Sequence, residues 1–186
     1  MATAAATRRF YNPIQKDAAT FLKTASETNG EYTLVEVELA PHGGNDLHYH
    51  TEYTEAFEVL EGQLNVRCGE EELVLKPGEK ALVQRNVLHR FYSTSDEPTR
   101  FLVTLTPGHA GFEKTIQIAY GLTADGKTSK DGTPKGLLTL SLILQLSGTR
   151  LPGAFKLIEP FFNLLAGMAR RRGIERALES EYVVMR

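Results

Sequence analysis

The sequence predicts a mainly β fold, a barrel or sandwich of short strands, followed by C-terminal α-helices. Three observations carry this expectation. From Tyr32 to Thr106 apolar and polar residues alternate with the period of two that places one strand face in a core. Turn signals such as Asn29-Gly30, Glu61-Gly62 and Lys76-Pro77-Gly78 interrupt the alternation at roughly the eight-to-twelve-residue spacing of all-β domains. After Pro107-Gly108-His109 the apolar spacing changes to that of helices.

Residues 1–9 contain Arg8-Arg9 but no apolar run, so they are expected to be disordered and to be neither a secretory signal nor a membrane anchor. Ala18 to Lys23 reads as a short strand. In Tyr32 to Leu39, Val35, Val37 and Leu39 alternate with Glu36 and Glu38, giving a half-buried strand that Pro41 ends. Strands are then expected at His48 to His50, Glu55 to Leu60, Leu64 to Arg67, Leu73 to Leu75, Ala81 to Val83, Leu88 to Tyr92 and Arg100 to Thr106. Helices follow over Gly111 to Tyr120, stopped by Gly121, and over Leu137 to Leu146. The second is apolar nearly all round and must be covered on more than one side. A third helix carries Pro160 in its first turn and an apolar stripe of Phe161, Leu164, Leu165 and Met168. Arg170-Arg171-Arg172 ends it, where cations complement the helix dipole, and Gly173 caps it. The domain expectation is therefore a disordered 1–9, a β-barrel over 10–110 and a helical extension over 111–186, packed on the barrel or at a dimer interface.

Strand parity also assembles a site. His48 and His50 are two residues apart and project to one side; Glu55 opens the next strand in phase with Phe57, and His89 shares a face with Phe91. Buried neutral imidazoles and a buried carboxylate each need a partner, and one divalent transition metal satisfies all four. Three of the five histidines fall in this set. His42 is either a further site residue or a solvated loop residue, and His109 is expected to be a solvated loop residue. Glu52 and Tyr53 adjoin the ligands across a turn, where parity cannot say which one faces the pocket, and Tyr49 alternates away from it. No second acid or base stands out, so catalytic residues are unassigned.

These residues resemble the cupin superfamily. In its first motif, His48, His50, Glu55 and Gly62 match in identity and spacing; in its second, Gly78 and His89 match. His42 replaces the first Gly, Gln84-Arg85-Asn86 replaces Pro-x-Gly, and Ser93 replaces the final Asn. None of the departures is a ligand position, and Asn86 can take the left-handed turn conformation. The resemblance covers residues 30 to 106 and implies a double-stranded β-helix, or jelly-roll barrel. It also implies one metal per chain (Fe, Mn, Ni, Cu, Co or Zn) held by His48, His50, Glu55 and His89. The implied function is a metal-dependent enzyme acting on a small organic molecule, a dioxygenase-type oxidoreductase first. The alternative is a non-catalytic metal-stabilised module that binds or senses a small ligand.

Composition bounds the partners. With 21 Lys and Arg against 23 Asp and Glu, the formal charge of -2 offers no clustered positive excess for nucleic acid. The ten residues of Leu137 to Leu146 are too short a helix to span a bilayer. The single cysteine, Cys68, excludes an internal disulfide and fits a reducing cytoplasm. It alternates with Leu64 and Val66 and is expected to act as a small apolar residue. A homodimer burying the faces of Leu137 to Leu146 is the expected assembly.

Overall fold

The computed structural model describes residues 8–153 and 155–185. Its barrel is built from β1 (Arg9–Asn12), β2 (Asp17–Lys23), β3 (Thr33–Leu39), β4 (Tyr49–His50), β5 (Thr54–Glu61), β6 (Leu64–Cys68), β7 (Glu71–Leu75), β8 (Lys80–Val83), β9 (His89–Tyr92) and β10 (Thr99–Thr106). One sheet runs β1-β2-β3-β10-β5-β8 and faces a second, β7-β6-β9, with every pair antiparallel. β10 lies between β3 and β5, far from both in sequence, and this crossing makes the chain a jelly roll rather than a meander. The expected alternation sets which faces meet. Val35, Val37 and Leu39 of β3, Phe57 and Val59 of β5, and Phe101, Val103 and Leu105 of β10 are all buried. Phe57, Phe91 and Phe101 pack edge-on or tilted, with centroids 5.2 to 6.2 Å apart. Each such side chain contributes about 1.5–3 kcal/mol on burial, so this inner face dominates the fold's stability.

Four helices follow the barrel: α1 (Ala110–Ala124), α2 (Leu137–Leu146), α3 (Phe155–Arg171) and α4 (Ile174–Tyr182), with a two-residue strand β11 (Thr149–Arg150) after α2. α1 packs along β1, while Leu142 and Ile143 of α2 join Ile118 and Leu122 of α1, Ala169 of α3 and Leu178 of α4 in a second apolar core.

Several expectations are corrected. Arg8 and Arg9, placed with the disordered N-terminus, are tied down: Arg8 forks onto Glu27 at 2.6 and 3.1 Å, Arg9 pairs with Glu38, and Arg9 opens β1. Residues 1–7 of that expectation lie outside the described residues. Gly121 does not end α1. A Cβ there would lie 2.2 Å from the Tyr182 ring, so this Gly permits α4 to close against α1. α3 begins at Phe155 and contains Pro160 beyond its first turn, and α4, beyond Gly173, was not foreseen. Gly173 does take the left-handed conformation between the last two helices, and Arg170 pairs with Glu175 there at 2.7 Å. The apolar residues of α2 are largely covered by α1, α3 and α4 of the same chain. The larger exposed apolar stripe lies on α3, at Leu157, Phe161 and Leu164. Among the described residues no helix is long and apolar enough to cross a membrane.

Candidate metal centre

The site forms where β4, β5 and β9 meet. His48 stands directly opposite His89, their backbones exchanging both hydrogen bonds at 3.0 and 2.8 Å, and the two rings lie 4.4 Å apart between centroids. His50, two residues on, points the same way, and its carbonyl accepts from Asn86 N at 2.7 Å. Asn86 sits at φ 65°, the left-handed turn expected of it, which swings β8 into the loop before β9. Glu55 enters from β5 in phase with Phe57. One ligand atom from each of His48, His50, Glu55 and His89 lies within 4.8 Å of every other.

The outer nitrogens of the rings decide what these atoms can do. His48 Nδ1 lies 2.7 Å from the Asp46 carbonyl and His89 Nδ1 2.9 Å from the Val87 carbonyl. A carbonyl only accepts, so both Nδ1 atoms carry the proton and each neutral ring turns its Nε2 lone pair inward. For His50, Nδ1 lies 2.9 Å from the Tyr53 hydroxyl, which itself lies 3.0 Å from the Ser147 carbonyl. The hydroxyl donates to Ser147 and accepts from His50, setting the same tautomer. Three Nε2 lone pairs and a carboxylate therefore converge: His48 and His50 Nε2 are 3.1 Å apart, and Glu55 Oε2 lies 2.8 Å from His89 Nε2 and 3.4 Å from His50 Nε2. Such a set repels itself unless cationic charge lies among the four, and its nitrogen-rich composition fits a divalent transition metal.

The electrostatics agree with that reading. Burial, then the neighbouring His89 and His50, lowers the His48 pKa to about 3, so this ring offers a lone pair at any ordinary pH. Burial opposes ionisation of Glu55, but when a proton rather than a metal stands at the Nε2 atoms, hydrogen bonds donated by His50 and His89 outweigh burial and hold the carboxyl below its usual range. Burial likewise opposes charge on His89, and Glu55 overrides it to raise the pKa.

Beside these residues the barrel holds a half-open cavity of about 250 Å³. His48, His50 and Glu55 form one end, Val35, Val37 and Val103 line its waist, and α1 lies across it through Phe112, Ile116 and Ala119. The space has room for one small organic molecule.

The other sequence candidates divide. Of the two residues left open by parity, Tyr53 takes the inner position and is fully buried, whereas Glu52 turns to the rim and meets His109 Nε2 at 3.0 Å. His109 is not a solvated loop residue: its Nδ1 accepts from Phe112 N at 2.9 Å and caps α1. His42 lies outside the site, exposed and 3.1 Å from Asp96. Cys68 is half-buried and packs against the main core. Ser147 and Thr149, which reach the site from beyond α2, had no signal in the sequence. Thr149 pairs with His50 through β11 and lines the cavity.

A family model described as Cupin domain matches residues 35–105. A quercetin 2,3-dioxygenase from Bacillus subtilis (strain 168) is 34% identical over 82 residues, 44% of this chain and 24% of that protein. The match thus spans about a quarter of the curated relative's length. Among solved structures, a predicted oxalate decarboxylase from Thermotoga maritima is 15% identical with a TM-score of 0.50, over 57% of this chain and 99% of its own. That likeness is one of fold. With the matched stretch coinciding with the jelly roll and its four convergent ligand atoms, residues 35–105 form a cupin domain.

Proposed function

We propose that the chain is a metal-dependent enzyme acting on a small organic molecule, with oxidation by dioxygen as its chemistry. His48, His50, Glu55 and His89 would hold the metal. The observation that carries this reading is the aim of three Nε2 lone pairs and one carboxylate at a single point in the wall of a half-open cavity. The likeness to a quercetin dioxygenase supports the choice of chemistry. When bound by four protein ligands, an octahedral metal keeps about two positions for exogenous molecules and can bring dioxygen beside a substrate.

The chain's own residues supply the rest. Tyr53 and Ser147 hold the His50 ring in one tautomer, and the Asp46 and Val87 carbonyls do the same for His48 and His89. Phe112 and Ile116, laid across the barrel by α1, exclude water from the substrate's apolar part. The reduced thiol of Cys68 suits a reducing cytoplasm.

The test is elemental analysis of protein purified without chelator, paired with oxygen uptake on flavonoids, diketones and amino-acid-derived thiols. Stoichiometric iron, copper, nickel or manganese with uptake on any of them is the expected result. A metal with no uptake on a wide panel would favour a binding or sensing module, and no metal under any loading condition would refute the site.

The assembly we propose is a homodimer through α3, whose Leu157, Phe161 and Leu164 are 84%, 50% and 63% exposed along one stripe. Light scattering is expected to give twice the chain mass for the native protein and one chain mass for Leu164→Lys. A monomeric native protein at micromolar concentration would refute it.

A further inference from the structure

The far end of the cavity carries a second polar cluster that neither the metal centre nor the core requires. Asp17 lies on the inward face of β2, in phase with Ala19 and Phe21, at 1% exposure. Its Oδ2 accepts the Tyr120 hydroxyl at 2.7 Å, but no hydrogen bond from any described residue reaches its Oδ1. Gln15 Oε1 lies 3.4 Å from the same hydroxyl, and Gln15, Asp17 and Tyr120 all line the cavity. Thr115, between this cluster and Phe112, repeats the pattern. In α1 the hydroxyl of Thr123 bonds back to the Ala119 carbonyl at 2.8 Å, as helical threonines commonly do, whereas the buried Thr115 hydroxyl has no partner among the described residues and Thr115 lines the cavity.

Buried polar atoms are nearly always paired, and leaving one unpaired costs more than a surface contact returns. A carboxylate placed only to hold Tyr120 could be an amide or could turn its second oxygen to a donor. Burial raises the Asp17 pKa to about 6, against the hydrogen bond from Tyr120 that lowers it, so it is mostly ionised at neutral pH.

We propose that Asp17, with Tyr120 and Gln15, forms a second binding subsite that accepts a hydrogen bond from a hydroxyl or ammonium group on the substrate, opposite the end that meets the metal centre. The substrate class follows: a small molecule with oxygen donors at one end, an apolar middle and a hydroxyl or amine at the other. Phe112, which packs on Tyr53, and Tyr120 are eight residues apart on α1, so at 1.5 Å per residue the two ends are about 12 Å apart along the helix. The metal-binding end rests on the function proposed above; the subsite itself rests on Asp17.

Three probes separate the two. Dopamine, hydroxytyrosol and ethylcatechol share a catechol that can chelate a metal and a two-carbon arm that ends in an ammonium, a hydroxyl or neither. By calorimetry on the full chain, the first two are expected to bind roughly ten- to a hundredfold tighter than ethylcatechol, the range for a charge-assisted hydrogen bond. In Asp17→Asn the dopamine preference is expected to shrink below about threefold, with metal content and ethylcatechol affinity unchanged. Unchanged metal content and ethylcatechol affinity in Asp17→Asn guard against a folding artefact. A chelator-stripped protein is expected to lose affinity for all three probes while keeping their order. Equal affinities in the native protein, or a preference that survives Asp17→Asn, would overturn the subsite. A native order maintained in protein that never holds a metal would leave the subsite standing and sink the metal reading alone.

Discussion

In His89→Ala, bound metal is expected to fall from one equivalent to a trace. The substitution removes an Nε2 ligand and leaves Glu55 buried without its 2.8 Å partner, so affinity and local order are lost together. Tyr53→Phe tests the support behind the ligands. It keeps the ring, which is stacked on His50 with centroids 4.4 Å apart, but frees the His50 Nδ1 proton and the Ser147 carbonyl. Loss of such a partner costs about 10–100-fold in metal affinity. His109→Ala, which removes the cap of α1 and the contact with Glu52, should cost about 1 kcal/mol of stability and no metal. Metal titration followed by elemental analysis separates the three. Equal loss from His89→Ala and His109→Ala would refute the ligand assignment.

Asp17→Asn is expected to melt higher than the native protein at pH 8 and at the same temperature near pH 3.5. The sign follows from linkage. Below the ordinary carboxyl value of 3.8, Asp17 is protonated in both folded and unfolded chains and its burial is inexpensive. As pH rises toward about 6 the unfolded chain ionises first, so the folded state holds the extra proton and stability falls across this window. Above it, ionising the buried carboxyl has cost about 3 kcal/mol, and the side chain is too buried for solvent to screen that cost. The amide keeps an acceptor for Tyr120 and carries no charge. At roughly 2–4 °C per kcal/mol for a chain of this size, the difference should approach about 6–12 °C at pH 8. Calorimetric melts of both proteins at the two pH values check it, and a constant offset between them would show that ionisation is not the cause. A residue that destabilises its own fold at working pH is most simply understood as one retained for binding.

The barrel was legible because its signal is local. Parity alone set Val35, Val37 and Leu39 inward, put His48 and His50 on one side and brought Glu55 in with Phe57, and the structure repeats each of these placements. Asp17 was missed: the strand reads from Ala18, and one acidic residue just before a strand reads as a solvated end until the turn before it is known. The contacts that complete the site were not legible. Tyr53 meets Ser147 across 94 residues and Asp17 meets Tyr120 across 103, and no periodicity encodes such pairs. Gly121 misled for a related reason: Gly commonly stops a helix, but here the ring of Tyr182, from a helix not foreseen, occupies the space a Cβ would need.

The wall that α1 and the Ser147–Thr149 turn build over the barrel divides the labour of the molecule between two stretches of chain. Residues 48 to 89 carry every ligand atom of the candidate centre, whereas Phe112, Thr115, Tyr120 and Thr149 shape much of the room in front of it. Reactivity and selectivity can therefore drift separately. Replacing side chains on one face of α1 alters which molecule fits without touching an imidazole, so a single metal chemistry can be re-addressed to new compounds by changes confined to the tail. The linkage through Ser147 and Tyr53 sets the limit on that freedom: a tail may be redrawn, but not detached, without loosening the grip on His50.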